Sequence, residues 1–435
     1  MAYLSKRLLF DIHSWIGIKL SILFFIVCFS GTLAVFSHEL DWLFNPEMRT
    51  TPQEQRASKN LVVSNLEKVY PDGEIIFWSR SREPYLADII TTKVNGVIRY
   101  VFANPYTGEI QGSANLTIQR FFRDLHYYLF IPFQVGNFIV LFFGFVLLVS
   151  LITGIVSYKH WYKKLFVLTT GKGFNVFFRS LHRLVGVWSI PFMALISVTG
   201  IWYFVERADL PKVSPYLRVE TPPIDSTQFV NNPIENFTYY LDYDRCVNLA
   251  KKSIPNLEVN NLFVPSKNGR PVYITGLSKV PLVRPRANRV YINPYNYEVI
   301  KVQRAESINT ITWINDIADP LHFGYWGGWV TKVIWFIFGL AISGLILTGT
   351  WISLKRKIKN VAVLRKKRMG KWRYVNWLFV VAIQIFMYIL LIKRYQISIA
   401  EHVIITVSWI LVFVIGYYIF SYRVNAGTQS STKSK

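Results

Sequence analysis

Cysteine is nearly absent from this chain of 435 residues. The two present, Cys28 and Cys246, fall in a hydrophobic run and in a polar region, so no disulfide framework exists. Charge is scarce as well. Asp, Glu, Lys and Arg make up 17% of the chain, against about 25% in soluble proteins. No G-x-G-x-x-G follows a strand, and there is neither a Walker loop nor an H-E-x-x-H. No nicotinamide, flavin or P-loop nucleotide domain is therefore visible, and zinc-protease chemistry is disfavoured. What the chain has instead is apolar and aromatic residues, 52% and 16%, with a mean hydropathy of +0.27.

Six apolar runs reach the length of about 20 residues that a bilayer requires, near 14–36, 136–157, 184–205, 329–352, 374–393 and 400–421. Lys6 and Arg7 precede the first run in the manner of a signal peptide, but its length predicts a retained helix. The net charge of +24 is unevenly placed. Residues 159–183 hold six Lys or Arg and no acid, and residues 355–373 hold ten and none. By contrast, 39–125 has ten basic and eleven acidic residues, and 206–325 has fourteen and twelve. Short, purely basic loops mark the cytoplasmic side. Both termini are then expected in the cytoplasm, with the two long balanced segments outside. Anionic lipid headgroups, rather than nucleic acid, are the expected partners of the excess basic charge.

The chain also repeats itself. Residues 7–36 match 176–205, placing His13 on His182, Gly17 on Gly186 and Gly31 on Gly200. ANPYTGEI (103–110) resembles INPYNYEV (292–299), and FRDLHYYLF (122–130) resembles IADPLHFGYW (317–326), which places His126 on His322. LITGIVSY (151–158) resembles ILTGTWIS (346–353), aligning Gly154 with Gly349. Each unit reads as helix, external domain, helix, and the last two helices have no counterpart. Membrane repeats commonly place a functional site at their interface. Helical spacing at 61–73 and 246–256, followed by alternating strand-like runs, predicts a small α+β domain in each unit.

Seven histidines exist, at 13, 38, 126, 160, 182, 322 and 402, and four of them are repeat-matched. His13 and His182 fall at the inner ends of the first and third helices; His126 and His322 precede the second and fourth on the outer side. Paired imidazoles across a bundle suit the two axial positions of haem iron, and zinc or copper also accepts them. Gly31 and Gly200 each lie eighteen residues beyond their histidine, five turns along a continuous helix and so on the same face. Thr153-Gly154 and Thr348-Gly349 fall near the inner side on the other two helices. At each level, one helix pair then offers histidines and the other offers glycines, whose missing Cβ permits the close approach a macrocycle needs. Packing by small residues is the competing reading of the same glycines. His38 aligns with Arg207, His160 with Lys355, and His402 has no partner in the repeat. Lys19 reads as a snorkelling side chain. Arg284, Arg286 and Arg289 read either as an attractor for an anionic chelate or as a solvated loop.

The His-x-x-x-Gly helices, the N-P-x-x-x-E turns, the Asp124-Leu125-His126 segment and the PLHFGYWGG segment (320–328) together resemble the PepSY-associated transmembrane family, over roughly residues 5–357. The resemblance implies an iron-regulated bacterial inner-membrane protein, with PepSY modules as the external domains. It also implies ferric-siderophore reduction, with haem in the membrane bundle. Carried over, His13 and His182 are the inner haem ligands and His126 and His322 the outer ones. His160, standing where the second unit has Lys355, keeps another inner pairing open. The expected architecture is an α-helical membrane protein of six spanning helices. Two tandem repeats would form its four-helix core, holding two b-type haems contacted by Gly17, Gly186, Gly31, Gly200, Gly154 and Gly349. Two periplasmic α+β domains would complete it. The expected order is helix 1 at 1–38, external domain 39–125, helix 2 at 126–160, a cytoplasmic loop 161–183, helix 3 at 184–206, and external domain 207–321. Helix 4 at 322–354, a basic loop 355–373, helices 5 and 6 at 374–422 and a tail 423–435 follow. Electrons would come from a cytoplasmic protein or a quinol. Two other functions compete: a membrane-anchored peptide-binding, peptidase-regulating or envelope-sensing protein without enzymatic activity, and a permease for iron chelates.

Overall fold

The computed structural model describes residues 5–158, 161–217, 219–224, 237–265, 269–355 and 369–422. His160, residues 356–368 of the second basic loop and the tail 423–435 lie outside them. In chain order the helices are α1 (Lys6–Lys19), α2 (Ser21–Val35), α3 (Ser37–Phe44), α4 (Lys59–Val69), α5 (Ile118–Tyr128) and α6 (Phe133–Ser157). They continue with α7 (Phe174–Trp188), α8 (Ile190–Ala208), α9 (Tyr243–Ser253), α10 (Thr310–Phe323), α11 (Gly328–Lys355), α12 (Trp372–Leu390) and α13 (Ile399–Tyr417). The chain divides into two units, a helical one (Met1–Val35, Phe122–Phe204, Val333–Lys435) and a sheet one (Phe36–Phe121, Val205–Lys332).

Among the described residues four helices, Phe133–Ser157, Gly328–Lys355, Trp372–Tyr395 and Ile399–Phe420, are long and apolar enough to cross a membrane, and two bent pairs raise the number to six if each is one span. The bends correct the expectation of continuous first and third helices. α1 and α2 meet at 73°, and α7 and α8 at 62°. Each break has a local cause. Ser21 Oγ donates to the Ile18 carbonyl at 3.0 Å, competing with the helical ladder. Pro191, the second residue of α8, has no N–H to offer the preceding turn. The carbonyl of Lys19 at the first break accepts from Asn376 Nδ2 on α12 at 2.8 Å, so an unrepeated helix satisfies a group that the break releases. Five turns of straight helix therefore do not connect His13 to Gly31.

The sheet unit is a second correction. The two expected α+β domains share one antiparallel sheet of eight strands, ordered β4-β3-β2-β1-β5-β6-β7-β8. The first half is β1 (Glu74–Ser79), β2 (Asp88–Val94), β3 (Val97–Ala103) and β4 (Ile110–Ala114); the second is β5 (Glu258–Phe263), β6 (Val272–Leu277), β7 (Asn288–Ile292) and β8 (Val299–Gln303). Each half is a meander, and the first strands of both pair, Phe77 opposite Phe263 and Ser79 opposite Asn261. Pairing the two β1-type edges removes two exposed strand edges at once. The helix preceding each meander packs on one face, over a shared core containing Val62, Leu66, Trp78, Tyr243, Cys246, Leu262 and Ile274. The helices also cap each other. Asp244 accepts from the amides of Lys59 (2.9 Å) and Asn60 (3.2 Å) at the start of α4, while Asn60 Oδ1 accepts from Tyr243 N at 2.8 Å at the start of α9.

Candidate functional site

The helical unit brings His13 and His182 together, their ring centroids 6.4 Å apart and their planes at 78°. One Nδ1–H donates to the Ser150 carbonyl on α6 (His13, 3.0 Å). The other donates to Thr348 Oγ1 on α11 (His182, 2.9 Å), whose own proton goes to the Gly344 carbonyl at 2.7 Å. A held Nδ1–H fixes the tautomer and leaves Nε2 with the lone pair, the arrangement that supporting hydrogen bonds give metal-ligating histidines. A glycine lies close behind each ring. A Cβ on Gly154 would lie 3.3 Å from His13 Cε1, and one on Gly349 would lie 3.1 Å from His182 Cε1.

His126 repeats the device on the other half of the unit. Its Nδ1–H donates to the Val27 carbonyl at 2.8 Å. A Cβ on Gly31 would come within 2.6 Å of its Cε1, closer than real Cβ atoms approach. Val27 precedes Gly31 by four residues, as Ser150 precedes Gly154. In both cases the ring bonds the backbone acceptor one turn before the glycine that makes room for it. The α5–α6 junction beside His126 is tight: Gly136 has no room for a side chain, its Cβ position being 2.0 Å from the Tyr128 carbonyl oxygen. Gly136 and Gly154 are eighteen residues apart on α6, about 27 Å at 1.5 Å per residue. The two histidine levels therefore occupy opposite ends of one helix.

The remaining candidates are placed as follows. His322 lies in the sheet unit, in the last turn of α10 with its ring edge-on to Phe323 at 5.5 Å, so His126 and His322 belong to different units. Gly200 faces no histidine of its own unit; its Cβ position is 3.5 Å from Gly144 Cα, a backbone crossing of α6 and α8 that matches the packing reading. Gly17 faces open space, and Gly186 meets only Leu345 Cδ2 at 3.8 Å. His38 lies in α3, where burial first and then the charges of Lys332 and Arg82 push its pKa down to about 4. His402 bonds the Ser398 carbonyl within its own helix end. Among the described residues, no cluster of three or more His, Cys, Asp or Glu forms a metal site.

Two features escaped sequence reasoning. Asp124, two residues before His126, is buried and accepts from Tyr128 Oη at 2.6 Å and from Tyr395 Oη, which follows α12. The unrepeated helices thus grip the core beside a candidate ligand. The arginines at 284–289 are not a solvated loop. Arg284 donates to Asp316 (3.1 Å), Asp319 (2.8 Å) and the Asn315 carbonyl (2.9 Å), and Arg286 Nε donates to Asp316 at 2.9 Å. Burial pushes the Asp316 carboxyl up to about 6, against the pull of Arg284. The acids that bind these arginines are some thirty positions away, so no local pattern pointed to them.

Residues 10–356 match the family model described as the PepSY-associated TM region. The chain belongs to that family. No curated protein matches it. Membership in the PepSY-associated family fits a multi-pass membrane protein, and the match ends one residue past α11, so α12 and α13 lie outside the matched residues.

Proposed function

We propose that this protein is a b-type di-haem redox protein that carries electrons across the bacterial inner membrane and reduces a ferric siderophore on the outer side, releasing iron(II). The observation that carries the reading is the inner pair. His13 and His182 stand with their ring centroids 6.4 Å apart and would be the residues that hold an inner haem through their free ring nitrogens. The held Nδ1–H groups and the glycines behind the rings complete the fit. His126, oriented in the same way on Val27 and Gly31, is the candidate outer ligand.

Haem bound there supplies a one-electron iron(III)/iron(II) couple. The residues' task is to hold the imidazoles in one tautomer and to exclude water with the apolar helices around them. Reduction of a ferric chelate takes one electron and no protein nucleophile. Iron(II) is a weaker partner than iron(III) for hard oxygen donors, so the reduction itself promotes release. The purely basic composition of 159–183 and 355–373 supports a cytoplasmic side for both termini and the inner pair, where an acidic donor protein or a quinol would deliver the electron. The test is optical. Purified protein should show a reduced haem α-band, His182→Ala should lose the inner contribution, and anaerobic addition of a ferric chelate should reoxidise the band with trapped iron(II) appearing. A colourless protein would overturn the reading and leave the sheet unit as a membrane-anchored binding module.

A further inference from the structure

The sheet face opposite the core carries one row of rings. Phe77, Phe263, Tyr273 and Tyr291 lie directly opposite one another on β1, β5, β6 and β7. Successive centroids are 4.6, 4.2 and 5.4 Å apart, and Phe263 and Tyr273 are parallel to within 11°. Beside this row the turn Pro285–Ala287 closes a cavity of about 310 Å³. Phe263, Tyr273 and Thr275 form its wall, and Arg284, Arg286 and Arg289 its basic side; no carboxylate lines it.

The three arginines are not equivalent. Arg284 is engaged by Asp316, Asp319 and the Asn315 carbonyl. Arg286 gives Asp316 only its Nε, and its terminal nitrogens have no partner among the described residues. Arg289 gives its Nε to the Arg286 carbonyl and reaches Tyr291 Oη only at 3.5 Å. Two guanidinium ends are thus held in place from behind and left with donors toward the cavity. Each ring in the row covers its neighbour's face, so the wall meets the cavity edge-on. Such a wall with arginine donors beside it matches a planar ring bearing anionic oxygens, which packs face-to-edge on the wall and accepts charge-assisted bonds from the fork.

We infer that this cavity selects the substrate and takes one aryl-oxyanion arm, a catecholate, of a ferric chelate. The inference rests on the redox reading for its place in the reaction, but binding itself does not. A cavity at the lower end of ligand-sized pockets admits one arm and leaves the iron outside. Hydroxamate chelates are neutral and aliphatic and use neither the rings nor the arginines. Citrate chelates are anionic but have no ring.

The test is binding of redox-inert gallium(III) complexes to the purified full-length protein, read by calorimetry. The probes are a synthetic tripodal tris-catechol, a tris-hydroxamate and citrate. The tris-catecholate should bind at least about tenfold more tightly than the others, and Arg286→Gln and Arg289→Gln should each weaken it about tenfold. Phe263→Leu, which keeps the strand apolar, should weaken it a few-fold. Similar affinity for all three complexes, or unchanged tris-catecholate affinity in Arg289→Gln with an unaltered melting temperature, would overturn the assignment. Gallium(III) accepts no electron here, so the outcomes separate. A haem-containing protein that ignores the catecholate overturns only this inference, and a colourless one that binds it overturns only the redox reading.

Discussion

The two units use the same duplication in opposite ways. In the helical unit the repeats stay alike where they meet: His13 packs its Cε1 against Gly154 and His182 its Cε1 against Gly349, while Nδ1 donates to the Ser150 carbonyl and to Thr348 Oγ1 respectively. In the sheet unit they join edge to edge and then diverge. The first half buries Asp88, which accepts from Arg56, from Trp78 Nε1 at 3.1 Å and from Ser81 N. The second half builds the Arg284–Asp316 cluster beside an open cavity. A duplicated sequence keeps its symmetry where the two copies pack side chain on side chain, as His13 does beside His182. Where each copy works alone, it is free to specialise. Four predictions test how far that contrast holds, beginning with the largest effect.

The divergent cluster should be the more costly to break. Asp316 is buried and serves two arginines, one of them itself largely buried. Asp316→Ala leaves those cations without their partner, which typically costs about 3–5 kcal/mol. Thermal unfolding of the purified protein should show the loss in the sheet unit, and the haem absorbance that depends on the inner pair, His13 and His182, should survive at temperatures where the sheet has melted. Simultaneous loss of both signals would mean that the units do not separate energetically.

The second prediction concerns pH. His38 in the folded sheet unit titrates near 4, against 6.5 for an unperturbed imidazole, because burial disfavours its cation. The unfolded chain binds the proton first as pH falls. Stability is therefore complete above about 6.5 and declines as pH drops toward 4, by about 2–3 kcal/mol for this group at 1.4 kcal/mol per unit. His38→Gln should flatten that part of the profile. Asp41, pushed up to about 6 by burial, has the opposite sign, and its contribution declines as pH rises from about 4 to 6. Asp41→Asn should therefore steepen the acid limb that His38→Gln removes; the same slope in both variants would discard the assignment.

A third comparison lies inside the helical unit. A Cβ at Gly31 would press the His126 ring at 2.6 Å, whereas one at Gly154 would stand 3.3 Å from His13. Overpacking of this kind costs about 1–3 kcal/mol. Gly31→Ala should fall in the upper part of that range and displace the ring from Val27. Gly154→Ala should fall in the lower part. Melting temperatures and haem content of the two variants give the ranking, and an equal or inverted order would show that the two levels are not built alike.

Much of this architecture was legible in the chain, for reasons that can be named. Histidine–glycine matching across repeats is a linear pattern, and Thr153-Gly154 with Thr348-Gly349 stood at the right end of their helices. The membrane character followed from the length of the apolar runs. The breaks after α1 and α7 were harder. Pro191 was a visible signal that the apolar pattern overrode, and the Ser21 contact is one of many that a serine in a helix can make. The single sheet was not legible, because the β1–β5 pairing joins strands some 180 residues apart and either edge could have been left free. The arginine cluster was missed for a similar reason, since its acids belong to a later helix. Local chemistry can be read from sequence; a partner supplied by a distant element cannot.

The smallest predicted effect bears on α12 and α13, which have no counterpart in the repeat. Asn376 Nδ2 on α12 donates to the Lys19 carbonyl at 2.8 Å, at the point where α1 and α2 part by 73°. Trp15 and Trp372 meet edge-on at 5.3 Å close by. If the extra helices serve to hold the bent limb that carries His13, removing this one bond should loosen the limb without unfolding the unit. Asn376→Ala should cost about 1 kcal/mol, the net value of one hydrogen bond. Asn376→Asp keeps the size but offers no donor to the carbonyl, so it should cost as much or more. Asn376 Nδ2 bonds the carbonyls of Lys19 and Trp372, neither of them at the second break, so the effect should appear at His13 and spare His182. Hydrogen exchange across α1 and α7 would read this directly: faster exchange confined to α1 supports the bracing role, and an equal change in both limbs would mean that α12 acts on the bundle as a whole.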